Sequence, residues 1–161
     1  MKLGHGFTAG KGLWLAAIDS YKEQKFYPRI EIGDDVDIGQ YVHIGCVNHI
    51  SIGNHVLMGS KIYITDHNHG VYTGNKQNSP NVPPKERPLT TGKEVIIEDN
   101  VWIGEFVTIL PGVRIGYGSI IESHTTVTHD IPPKSIAVGS PAKVVKKWDE
   151  EIKAWIPMRK E

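Results

Sequence analysis

The chain has 161 residues, enough for one domain with a real core. Its 18 Lys and Arg balance its 18 Asp and Glu, so no net field favours nucleic acid or an anionic membrane. No apolar run approaches the roughly 18 residues that a membrane-spanning helix needs, and the opening MKLGHGFTAGKGLW lacks the apolar stretch of a secretory signal. A soluble cytoplasmic protein is the expectation. The single cysteine, Cys46, excludes an intrachain disulfide. Seventeen glycines and ten prolines favour tight turns over long helices.

In chain order, Leu3, Ala9 and Leu15 recur six apart and suggest an irregular first coil within residues 1–29. From Ile32 the chain reads IGDDVD, IGQYVH, IGCVNH. After an apparent insertion of Ile50 and Ser51 it resumes as IGNHVL, MGSKIY and Ile64. Residues 70–93 lack periodicity and read as an external loop, a length of irregular chain that is often functional. From Ile97 the pattern returns as IEDNVW, IGEFVT, ILPGVR, IGYGSI, IESHTT and Val127. Trp148, Ile152 and Trp155 then recur at i, i+4 and i+7, which predicts a short C-terminal helix over 148–156 that Pro157 stops.

A period of six fits neither a 3.6-residue helix nor simple strand alternation. It fits a solenoid of short strands in which three hexads make one triangular turn and the aliphatic first positions stack into a continuous core. The second-position glycines, such as Gly39 and Gly104, are expected to relax the turns. Handedness does not follow from the period. One all-β domain, a parallel β-helix with an external loop and a short C-terminal helix, is the expected architecture.

The hexads, the TDH after Ile64, and NVWIGEFVTILPGVRIG followed by TVTHDIPPKSIAVGSPAKVVK resemble the hexapeptide-repeat acetyltransferases. The likeness is to the galactoside and maltose acetyltransferases and the O-antigen or capsule O-acetyltransferases near them. It spans about residues 30–147. It implies a left-handed β-helix, a homotrimer, acetyl-CoA as cosubstrate in a groove between subunits, and no metal. By the same resemblance His67 is the catalytic histidine and Trp102 lies near the thioester. Ser123 and Thr128 meet the CoA arm, and Lys143 and Lys146 meet its phosphates. Glu105 stands where the family usually has a small residue and His129 where a lysine is common, and both are placed with the cofactor contacts.

Acyl transfer to a hydroxyl needs a base, a stabilised oxyanion and two substrates held in line. An imidazole that titrates near neutral pH suits the base, and His67 follows a strand that can fix it. Asp66, Asn48, His49 and His69 are read as acceptor contacts. As neighbours on a strand, Asp66 and His67 should point apart; whether Asp66 or His69 assists His67 stays open. His43, His49 and His55, six apart, should fall on different faces and hold no shared metal. The rival of greatest chemical interest is a zinc-dependent γ-class carbonic anhydrase using His124 and His129. An N-acetyltransferase of an amino sugar, an antibiotic acetyltransferase and an inactive scaffold are further readings of the same pattern. Cys46 has no base beside it in sequence and reads as an ordinary thiol. The favoured reading is O-acetylation of a sugar hydroxyl during assembly of a cell-surface polysaccharide.

Overall fold

The computed structural model describes residues 1–91 and 93–158. Three parallel sheets enclose one core. The first face stacks Lys2–Leu3, Arg29–Ile32, His49–Ile52, Val95–Ile97 and Arg114–Ile115. The second carries Thr8–Ala9, Asp37–Ile38, Leu57–Met58, Trp102–Ile103, Ile120–Ile121 and Ser135–Val138. The third carries Trp14–Ala17, His43–Cys46, Tyr63–Thr65, Thr108–Ile109 and Thr126–Val127. The chain visits the faces in turn, and each pass pairs with the pass before it. Ile97 lies beside Ile115, Ile103 beside Ile121 and Ile109 beside Val127, each eighteen residues on. First-position side chains from Ile32 to Val127 are buried, and each such burial contributes roughly 1.5–3 kcal/mol.

The glycines act differently from expectation. The corners turn at the fourth hexad position, where Asp35, Tyr41, His55, Lys61, Asn100, Phe106 and His124 all have φ between 51° and 59°. The second-position glycines have no such φ. Gly45 apart, they are required because successive coils pass too closely for a side chain: a Cβ on Gly39 would lie 2.5 Å from the Gly59 carbonyl. Close approach of backbone to backbone, not turn relaxation, selects glycine there.

The first coil is regular through Ala17, with Trp14 to Ala17 in register with His43 to Cys46. Ile50 and Ser51 are no insertion, since His49–Ile52 is a paired strand. The extra residues instead enlarge the corner at Cys46–Asn48. A small hairpin, Ser20–Tyr21 with Gln24–Lys25, follows the first coil. It grips the base of the external loop: Gln24 exchanges hydrogen bonds with both backbone groups of Leu89, and the Tyr21 hydroxyl donates to the Lys85 carbonyl. The loop leaves and rejoins the solenoid through an antiparallel pair, His67–His69 with Leu89–Thr91.

The C-terminal helix is not formed. Lys143–Asp149 and Ala154–Pro157 are antiparallel strands that extend the second face. Trp148 lies opposite Trp155, with ring centroids 5.5 Å apart in an edge-to-face arrangement. The Asp149 carboxylate accepts from the Glu151 and Ile152 amides and Lys153 turns at φ 54°, so a tight turn brings the tryptophans together. A seven-residue spacing suits a helix face and a hairpin equally. Here the β-branched Val144 and Val145 and the open edge of the sheet decide. Among the described residues the sole helical segment is a 3₁₀ turn, Pro84–Glu86, and no helix is long and apolar enough to cross a membrane.

Candidate active site

At the end of the Tyr63–Thr65 strand the chain turns beneath the enlarged corner. Asp66 is fully buried there. The Val47, Asn48 and His49 amides donate to its carboxylate at 2.8–2.9 Å, and the Cys46 thiol donates at 3.4 Å. The corner that looked like an insertion is thus a nest of N–H groups wrapped round one carboxylate. Burial alone would raise the Asp66 carboxyl. Hydrogen bonds from His67, Val47 and Asn48 outweigh it and hold the group below the ordinary carboxylate value.

His67 is 8% exposed. Its Nδ1 lies 3.1 Å from Asp66 Oδ1 and 3.2 Å from Thr65 Oγ1. A carboxylate can only accept, so Nδ1 carries the ring proton and Nε2 is left with its lone pair. Neighbours on an ideal strand would point apart; the bend at Asp66 overrides that rule. Asp66 is therefore not an acceptor contact, because no part of it reaches solvent. Its place is behind the histidine.

Of the other expected acceptor contacts, the exposed His69 sits 6.5 Å from His67 between ring centroids and packs edge-on to Tyr21 at 5.3 Å. Asn48 is exposed on the corner, its amide bound to Asp66. The His49 ring is tied down on the first face, between Glu31 at 2.9 Å and Glu94 at 2.8 Å. It points into a concavity of about 540 Å³ lined by Arg29, Lys93, Arg114 and Asp130, which does not include His67. His43 lies on the third face and His55 on a corner beside Asp35, so the three regularly spaced histidines do not converge.

The expected CoA contacts fall into two groups. Trp102, 45% exposed, lies on the second face with Lys143 and Lys146. Glu105 and Ser123 stack at the corner leading to the third face, where the Glu105 amide donates to the Ser123 hydroxyl at 3.1 Å. Thr128 and His129, joined at 2.8 Å, sit beyond the Thr126–Val127 strand at the far edge of that face, the edge that also carries His67. One chain does not bring these groups together. His124 and His129 likewise stand at opposite ends of that strand, and His124 is stacked on Phe106 at 4.8 Å. Among the described residues no group of three or more His, Cys, Asp or Glu could hold a metal ion. Burial and the Asp66 charge push the Cys46 thiol up to about 12, which removes it as a nucleophile at neutral pH.

Known proteins share the repeat and the fold. The family described as bacterial transferase hexapeptide (six repeats) matches residues 94–129. WbbJ of Escherichia coli K12, a candidate lipopolysaccharide biosynthesis O-acetyl transferase, is 38% identical over 156 residues, covering 96% of this chain and 76% of that protein. A hexapeptide-repeat acetyltransferase of Vibrio cholerae, solved with acetyl coenzyme A, superposes with a TM-score of 0.73 at 27% identity, over 92% of this chain and 72% of that one. A maltose O-acetyltransferase of Clostridium difficile gives 0.55 at 25% identity, over 92% and 67%. The chain belongs to the hexapeptide-repeat acetyltransferases, as a left-handed parallel β-helix that takes its acyl group from acetyl-CoA.

Proposed function

We propose that the protein O-acetylates a sugar hydroxyl, in the cytoplasm, during assembly of a cell-surface polysaccharide. The observation that carries the chemistry is the buried Asp66–His67 pair, which presents a basic Nε2. His67 takes the hydroxyl proton as the oxygen attacks the acyl carbon, and returns it to the departing sulfur, so the acyl group passes directly without an acyl-enzyme. Asp66 holds the imidazole in the required tautomer and stabilises its charge while it carries the proton. The saccharide acceptor is supported by the likeness to WbbJ over most of both chains.

The working unit in this reading is a trimer. Trp102 lies on the second face, Glu105 and Ser123 at the corner between it and the third, and His67, Thr128 and His129 at the far edge of the third face. A closed threefold arrangement sets one chain's edge against its neighbour's opposite edge and completes the groove. The exposed tryptophan and the two lysines are suited to a pantetheine arm and to phosphates.

The test is CoA release from acetyl-CoA across neutral glycosides, amino sugars and hydroxylated antibiotics, with NMR of the product. An ester on a glycoside is the expected outcome. Turnover confined to amines, with an amide product, would replace the O-acetyl reading by an N-acetyl one.

A further inference from the structure

Outward-facing side chains on the third face form rows across successive coils. One row runs Trp14, His43, Tyr63 and Thr108, and the next runs Ala16, Gly45 and Thr65. In the first row the His43 imidazole stacks on the Trp14 indole, with centroids 4.0 Å apart and planes within 5°. Tyr63 flanks it on the other side at 5.3 Å. The ring is therefore fixed by aromatic packing, while neither of its nitrogens has a hydrogen-bond partner among the described residues. Burial, and then the charge that His67 takes on when protonated, lower the His43 pKa.

In the second row the missing side chain lets two imidazoles approach the same point. A Cβ on Gly45 would lie 3.3 Å from His67 Cε1 and 3.8 Å from His43 Nε2. Gly45 has no positive φ that would demand glycine. The absence of a side chain there gives the His67 ring its room and brings it close to His43, so that two imidazoles, one held by Asp66 and one by Trp14, converge on Gly45. Rings this close can each pair with a different oxygen of one small molecule bound against this face, over about 2.8 Å each.

We propose that His43 is an acceptor-binding, specificity-determining residue whose Nε2 hydrogen-bonds a second hydroxyl of the sugar, seated against the two rings, while His67 deprotonates the first. The assignment rests on the saccharide reading above and narrows it to acceptors with neighbouring hydroxyls. A site built to pair a hydroxyl rejects the analogue that lacks it, because the buried polar partner is then left unmatched.

The test uses the full-length protein with the methyl glycosides of glucose, galactose and rhamnose, and with analogues deoxygenated beside the acetylated carbon. Wild type should prefer the parent glycoside by tenfold or more in kcat/KM. His43→Phe keeps a ring against Trp14 but removes the nitrogens. It should raise the acceptor KM at least tenfold, leave the acetyl-CoA KM within twofold, and erase the preference over the deoxy analogue. His43→Gln should restore part of that preference, and Gly45→Ala should weaken every glycoside. Equal turnover of parent and deoxy sugars by wild type overturns the assignment, and so does an equal loss on both in His43→Phe. Failure of every glycoside with wild type, while acetyl-CoA still binds, removes the saccharide reading itself and this assignment with it.

Discussion

At His67 one ring proton has two acceptors, Asp66 Oδ1 and Thr65 Oγ1, and the charged one is the stronger partner. His67→Ala should lower kcat by roughly a hundred- to ten-thousand-fold with acetyl-CoA affinity unchanged; a variant that keeps most of its turnover would take His67 out of the mechanism. Asp66→Asn should cost roughly ten- to a thousand-fold in kcat, less than the loss of a carboxylate with no substitute, because Thr65 can still accept the proton. Asp66 also stabilises the fold, since three amides end on it. Asp66→Ala should destabilise by about 2–4 kcal/mol, read from urea unfolding. The pH dependence has a definite sign. The folded carboxyl lies below its ordinary value, so its stabilisation is complete above that value and is lost as pH falls through the lowered one. Melting temperature should therefore drop in strong acid, and Asp66→Asn should flatten that drop. Parallel acid profiles for the two proteins would assign the loss to other groups.

The solenoid's elements obey two separate rules on one hexad. The first rule is contact: the second position faces the backbone of the next coil, so Gly39→Ala forces coils apart and should destabilise by about 1–3 kcal/mol. The second rule is conformation: the fourth position bends with positive φ but faces outward. His55→Gly should accordingly stay within about 1 kcal/mol of wild type. Thermal or urea denaturation of the two variants separates the rules, and equal effects would mean that one constraint governs both positions. The C-terminal hairpin follows from pairing across strands. Trp155→Ala should lose the edge-to-face contact with Trp148, worth about 1 kcal/mol beyond its buried area.

For the whole molecule, the separation of the expected cofactor contacts between the second face and the far edge of the third predicts shared sites. Sedimentation should give three times the chain mass. His67→Ala and a Lys143/Lys146 double mutant, each inactive, should complement after co-refolding. Random assembly leaves about a quarter of the interfaces with both walls intact, and so about a quarter of wild-type activity. A mixture shown to contain hybrid trimers and yet inactive would put both sets of contacts on one chain's side of the groove. A fully active monomer would remove the groove.

The period of six was legible in the chain because burial of every sixth aliphatic side chain leaves its mark on each coil; so were the solenoid, its single core and the transition at Thr65–His67. Handedness was not, since the same period winds either way and only likeness to known chains and their structures settles it. The C-terminal strands were hidden because the Trp148–Trp155 spacing serves a helix and a hairpin alike, and the open edge of the second face made the choice. Asp66 was misjudged for a similar reason. Its role depends on three amides that precede it by nearly one coil, and on a bend that brings adjacent residues to the same side. The pairing of His43 with Trp14 joins residues from different coils. Periodicity reports what each coil repeats, whereas the site is built where coils meet and where the repeat is broken.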